Sequence, residues 1–277
     1  SLGLGEFRGN VVYKSKDTLG FDLLANNIKT DKKKSALLAS EFPLLLIKQK
    51  KDTLYISADT LYSGKISNLK RPFPNARDSV GKMTDSTLDK YFEAFHNVKI
   101  YSDSLQAKSD SLFYSLSDST IRLISRPIVW ANNNQITGDT IYMYIQNKKP
   151  EQLNVFNNAL AINKIDSTDN FNQIRGGRLN AWFNDGELIK MRCKGNAENI
   201  YFAMDNDKNF VGVNHSNAQI IEITFENSEP AKVIFRNQLK GKLTPIQQTN
   251  KTDLKLNGFK WLEAQRPKSK FDILSPK

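Results

Sequence analysis

The chain has little of what most chemical sites are built from. It holds one cysteine, Cys193, and two histidines, His96 and His215, in 277 residues. A single thiol excludes an intramolecular disulfide, and so few Cys and His close off a zinc centre of the usual type, together with haem and thiol redox chemistry. Long apolar runs are also missing. The longest purely aliphatic stretch, Leu44 to Ile47, falls far short of the roughly 20 residues of a membrane helix. The residues from Ser1 onward lack the charged, apolar and cleavage regions of an export signal, so any such signal is expected to have been removed or never to have existed. Charge is in excess on one side only: 40 Lys and Arg stand against 29 Asp and Glu, a net +11. With 39% hydrophobic and 25% charged residues, the composition is that of a chain that folds, as one large β domain or two smaller ones.

Thr, Ser, Asn, Lys, Ile, Leu, Tyr and Phe dominate in short alternating runs, broken by Asp, Asn or Gly about every ten residues, which predicts many short β-strands. The runs repeat. FDLLANNIKT, LYISADTLYS, LQAKSDSLFY, ITGDTIYM and IRGGRLNAWF align on Ala25, Ala58, Ser109, Gly138 and Gly176. Before this small residue, apolar or small side chains recur at steps of two (Phe21 and Leu23, Leu54 and Ile56, Leu105 and Ala107, Ile136, Ile174) and so share one strand face. After it the next apolar residue comes three positions on: Ile28, Leu61, Leu112, Ile141 and Leu179. Such a slip throws every later side chain onto the wrong face unless a bulge or bend absorbs it. The extra residue is Asn26, Asp59, Asp110, Asp139 or Gly177, types that tolerate bulge geometry or bond their own backbone. Each is therefore expected to be a corner where a strand passes between two sheets. A sixth copy near Ser216 is too degraded to register.

Return strands between the corners place Pro43, Pro127, Ala159 or Ala197 between two alternating halves, so each repeat reads as a bent hairpin. Stacked bent hairpins predict an all-β fold: an elongated antiparallel jelly-roll, a V-shaped trough of two sheets lined by one face of every strand, with helices nearly absent. This domain is expected over residues 1–243. Two segments depart from it. Residues 66–96 read as an inserted loop in which Ser86 caps a short helix over STLDKYFEAF. From Lys240 the chain carries 9 basic against 3 acidic residues, and 244–277 reads as a basic appendage with a short helix stopped before Pro267.

The pattern [LI]-x-[IA]-x-[AGS]-D-[TS]-[LI]-x-[YM], carried by Leu54 to Ser63, Leu105 to Tyr114 and Ile136 to Met143, resembles the organic-solvent-tolerance (OstA-like, LptA-like) family of periplasmic lipopolysaccharide transport. The likeness covers roughly Gly9 to Leu243. It implies a β-jelly-roll module, without catalysis or cofactor, that shelters the acyl chains of lipopolysaccharide while the head stays in water. It also implies edge-strand joining to other such modules or to itself, as a bridge between inner-membrane and outer-membrane machinery. The expected lipid-binding interior is Leu54, Ile56, Leu61, Leu105, Leu112, Ile136, Ile141, Met143, Leu179 and Phe183. A structural or adhesive cell-surface β-repeat without lipid binding is the alternative.

Other features read as structural. Asp59, Asp110 and Asp139 recur at bend positions, which backbone hydrogen bonding explains better than a glycosidase pair. Lys32, Lys33, Lys34, Lys48, Lys50 and Lys51 read as a solvated basic face, with contact to lipid phosphates or an anionic membrane surface as the alternative. Cys193 reads as a small buried hydrophobe and His215 as structural. No motif for a phosphate loop, a Ser/His/Asp arrangement or RNA recognition is present, so neither an active site nor a nucleic-acid partner is expected.

Overall fold

A computed structural model describes residues 3–15, 21–48, 53–69, 89–146, 149–165, 169–185, 187–205, 207, 209–227, 229–250 and 254–273. Among them are eighteen β-strands, no α-helix, and 3-10 turns at Ile66–Asn68, Ile246–Gln248 and Glu263–Gln265. Every described register is antiparallel. The fold is all-β and jelly-roll-like. No helix of the described residues is long and apolar enough to cross a membrane.

The chain divides into two compact units: Ser1–Pro127 with Tyr144–Lys148 and Arg266–Lys277, and Ile128–Met143 with Lys149–Gln265. The first holds β1 (Leu4–Lys14), β2 (Phe21–Asp31), β3 (Ala36–Ser40), β4 (Leu44–Lys48), β5 (Thr53–Ser57), β6 (Thr60–Gly64), β7 (Tyr91–Tyr101), β8 (Gln106–Ser115) and β9 (Thr120–Ile124). One layer runs from the start of β2 through β4 and β5 to the end of β7 and the start of β8. The other runs from the end of β2 through β3, β6, the start of β7 and the end of β8 to β9. β1 lines the whole length of β2 and belongs to both.

The second unit holds β10 (Ile128–Ala131), β11 (Asn134–Thr137), the first part of β12 (Thr140–Gln146), and the long strands β13 (Lys149–Lys164), β14 (Phe171–Asn184), β15 (Glu187–Met204) and β16 (Phe210–Glu226), closed by β17 (Glu229–Arg236) and β18 (Lys240–Pro245). Its strands bend in the same way. The halves of β13 to β16 that pair with β11 and β18 form one layer, and the halves leading to β17 form the other.

The bends are where the register slip falls. β2 changes partner from β4 to β3 across Ala25 and Asn26, and the chain leaves strand geometry at Ala58–Asp59 and Gly138–Asp139. On the neighbouring strand, two consecutive residues adopt positive φ: Glu41 and Phe42 before Pro43, His96 and Asn97, Asn157 and Asn158, Gly195 and Asn196, Asn237 and Gln238. Two such residues face one in each bulge: Gly9 and Asn10 against Asn26, His96 and Asn97 against Asp110, Asn157 and Asn158 against Gly177, Gly195 and Asn196 against Gln219. Asn dominates because its short polar side chain tolerates the left-handed region. The sixth copy, too degraded to register from sequence, is thereby located: its small residue is Ala218 and its extra residue Gln219.

Three expectations change. Of the helix expected from Ser86, residues 86–88 lie outside the described residues, and Tyr91 to Phe95 are strand β7, where they pair with both β6 and β8. Tertiary pairing there overrides the capping signal. Most of the rest of the expected 66–96 insert lies outside the described residues. The C-terminal helix is only the turn at Glu263–Gln265. The basic tail is no loose appendage, because Leu256 and Ile273 are buried.

Candidate functional site

Directly opposed residues of antiparallel strands share a face, so the registers assemble the expected lining into rows. In the first unit Leu23, Leu45, Ile56, Ile100 and Ala107 form one row, and Ile28, Ala39, Leu61, Ala94, Leu112 and Leu123 the row beyond the bend. All eleven are buried. The layers meet where Phe21 of the first touches Phe92 of the second edge to face, centroids 4.9 Å apart. In the second unit Val155, Leu179, Cys193, Ile221 and Phe235 form the inner row of one layer. The inner row of the other is Ile136, Ala161, Ile174, Asn199 and Ser216. Of the ten expected lining residues, Leu54, Ile56, Leu61, Leu112, Ile141, Met143 and Leu179 are buried, while Leu105, Ile136 and Phe183 are half-buried. The registers bring Ile56, Leu61 and Leu112 into the first interior and Ile136 and Leu179 into the second.

The small residues at the bends follow from the closeness of the layers. A Cβ on Gly138 would lie 2.3 Å from Val155 Cγ1, and one on Gly176 2.6 Å from Cys193 Sγ. Burial pushes the Cys193 thiol up to about 12, which leaves it inert, as the sequence reading expected.

Both interiors reach the terminal strands uncovered. On β1, Phe7 pairs with Ile28 and Tyr13 with Leu23, so both face inward, yet Phe7 is 53% and Tyr13 38% exposed. On β18, Leu243 pairs with Asn214, itself opposite Tyr201, and is 61% exposed. Sequence reasoning missed a polar strip on the inner wall of the second unit. Asn163 Nδ2 donates to Asn134 Oδ1 (3.0 Å) and Asn172 Nδ2 to Asn163 Oδ1 (3.4 Å), and Oδ1 of buried Asn199 has no hydrogen-bond partner among the described residues.

The corner carboxylates are occupied by the neighbouring bend. Asn97 Nδ2 donates to Asp59 Oδ2 at 2.8 Å and Asn158 Nδ2 to both oxygens of Asp139 at 3.1 Å. His96 Nδ1 lies 3.1 Å from Asp110 Oδ1, and that contact, with the Ser111 hydroxyl, holds Asp110 below the usual carboxylate range. The backbone N–H groups of Asn26, Asp59 and Gln219 donate to the carbonyls of Glu41, His96 and Asn237 at 3.0 Å.

The tail covers the outer face of the first layer in each unit. In the second unit Leu256 packs with Ile165, Ile200, Phe202 and Val213, while Phe259 and Trp261 pack on Leu160, Ile162 and Phe171. Glutamines hook its backbone. Gln173 donates to Leu254 O (2.7 Å) and accepts from Leu256 N (2.9 Å); Gln135 donates to Lys260 O and accepts from Leu262 N, both at 2.7 Å. In the first unit Arg266 Nε donates to Gln106 Oε1 at 2.7 Å. All three glutamines stand three positions before a bend residue, Ser109, Gly138 or Gly176, a recurring amide that the sequence displays.

Two charged groups lie elsewhere. Arg122, fully buried, pairs with Asp118 and stacks over Phe113. On the tail-bearing face, Glu198 accepts from Arg175 and lies against His215, both at 2.8 Å. Burial raises its carboxyl, but those two hydrogen bonds outweigh burial and hold it below the usual range. Compared with known proteins, the chain matches no protein-family model and no curated protein.

Proposed function

We propose that this protein is a lipid-carrying module of the lipopolysaccharide-transport type, working in the periplasm. Its two-layer interiors take acyl chains, and its terminal strands join like modules. One observation carries the reading: the apolar inner face of the first unit continues onto β1, where Phe7 and Tyr13 stand exposed opposite buried Ile28 and Leu23, and on β18 Leu243 stands exposed on the inner face of the second unit. A soluble chain exposes a row of this kind at a cost, which a fatty tail or a second module removes. Each methylene withdrawn from water contributes about 0.8 kcal/mol, so ten give roughly 8 kcal/mol. The asparagine strip offers amides to the polar linkages of such a lipid, and the unpaired outer edge of a terminal strand accepts another strand.

A photo-crosslinking residue at Leu112 or Ile141, compared with one at exposed Lys33, tests this in cells that make lipopolysaccharide. Labelling from the first two alone is expected; equal or absent labelling overturns it. The packing of Phe21 on Phe92, which joins the two layers across the first interior, favours a second reading, a spacer module that binds no lipid. A hydrophobic fluorescent probe that lipopolysaccharide fails to displace supports the spacer.

A further inference from the structure

Among the described residues, the tail packs on the first layer of the second unit and leaves the outer face of the second layer bare. Its registers set out three rows: Phe156, Arg178, Lys194, Ile220 and Arg236; Asn154, Asn180, Arg192, Glu222 and Ile234; Gln152, Trp182, Lys190, Thr224 and Lys232. These fifteen positions hold six cations and one carboxylate, a net of five positive charges. Arg178, Lys194, Lys232 and Arg236 are exposed, and Lys190, Arg192 and Trp182 half-buried. Glu222, deep among them, ties three cations into the array: Arg192 at 3.0 Å, Arg236 at 3.3 Å and Lys190 at 3.6 Å. Lys190 and Arg192 also flank the Trp182 ring at 5.7 and 5.8 Å.

We infer that this face docks on an anionic membrane surface. Cations on one face of a pleated sheet lie about 4.8 Å apart across strands and roughly 7 Å apart along them, a broad array that meets a flat sheet of lipid phosphates all at once. A convex duplex reaches only a stripe of it. Trp182 between cations has the amphipathic character that favours the headgroup level. Arginine also suits phosphate through its planar fork. The inference is independent of the interior, since none of these side chains faces it.

Co-sedimentation of the full chain with vesicles of 3:1 phosphatidylcholine and phosphatidylglycerol, against phosphatidylcholine alone, tests it. Binding is expected only with the anionic lipid and is expected to fall steeply with salt. The triple variant Arg178→Gln, Lys194→Gln, Lys232→Gln is expected to lose about five-fold in partition per charge, on the order of one-hundred-fold in all. Lys32→Gln, Lys33→Gln, Lys240→Gln removes as much charge elsewhere and is expected to bind nearly as the parent does. No binding of the parent protein, equal losses in the two variants, or a preference for duplex DNA over vesicles of equal charge overturns the proposal. If the triple variant fails to fold, Arg178→Gln and Lys33→Gln are compared singly, and equal losses from the two overturn the proposal.

Discussion

Replacing Gly176 by alanine tests whether the bends bring the layers as close as described. The new methyl would sit 2.6 Å from Cys193 Sγ and 3.0 Å from the Lys194 carbonyl. Apolar contacts settle near 3.5 to 4.0 Å, so the sulfur must retreat by roughly 1 Å. It has nowhere to go: Cys193 is fully buried, between Leu179 and Ile221 in its row. Overpacking of this kind costs about 1–3 kcal/mol. Cys193→Ala alone is expected to cost about 1 kcal/mol, from lost burial and a small cavity. In the double variant the methyl takes the place of the sulfur, so the two costs fall short of their sum by about 1 kcal/mol; the Lys194 carbonyl keeps the rescue partial. Urea unfolding followed by tryptophan fluorescence reads this directly, because Trp130, Trp182 and Trp261 all belong to the second unit. Additivity of the two substitutions within about 0.5 kcal/mol refutes the contact.

Asp118→Asn removes the counter-charge of a buried guanidinium and is expected to destabilise by about 3–5 kcal/mol, measured by urea unfolding monitored by circular dichroism. Gln173→Ala severs both hooks on Leu254 and Leu256, and amide exchange in residues 254–262 is expected to accelerate while the strands keep their protection. Tyr114, raised to about 12 by burial and by the Asp118 charge, stays neutral in the fold after an unfolded tyrosine has ionised near 10. Its contribution is therefore present below about pH 10 and is lost as pH rises from 10 towards 12; absorbance at alkaline pH is expected to show one tyrosine released only on unfolding. Cys193 is expected to ignore a thiol reagent in the native protein and to react fully in denaturant.

Sequence and structure agree most closely at the bends. The slip at Ala58–Asp59 and Gly138–Asp139 was legible because a period-2 pattern cannot change phase without a backbone irregularity. The facing half of each bend was legible only in part. Pro43, Pro127, Ala159 and Ala197 stand out in the return strands, but the positive-φ pairs before them include Glu41 with Phe42 and Ser125 with Arg126, and in these little in the residue types marks the conformation. His96 and Asn97 directly follow the stretch whose Ser86 signalled a helix; strand pairing on both sides, which no local pattern carries, decided otherwise. The hooks of Gln106, Gln135 and Gln173 were visible as amides at a constant offset, yet their partners lie 81 to 160 residues further on, and a tail of mixed polarity gives no sign of where it lies. The asparagines on the inner face of the second unit were not legible as lining, because an apolar period-2 pattern does not mark polar side chains that share its face.

The two kinds of bend alternate from strand to strand, a pair of left-handed residues on one and a small residue with an amide, acid or glycine on the next. A strand inserted singly would set like against like and break the zip of side chains along the fold line. Such a chain can lengthen or shorten only by whole hairpins, so its evolution is quantised in pairs of strands, and the tips of those hairpins are the places free to accept new sequence.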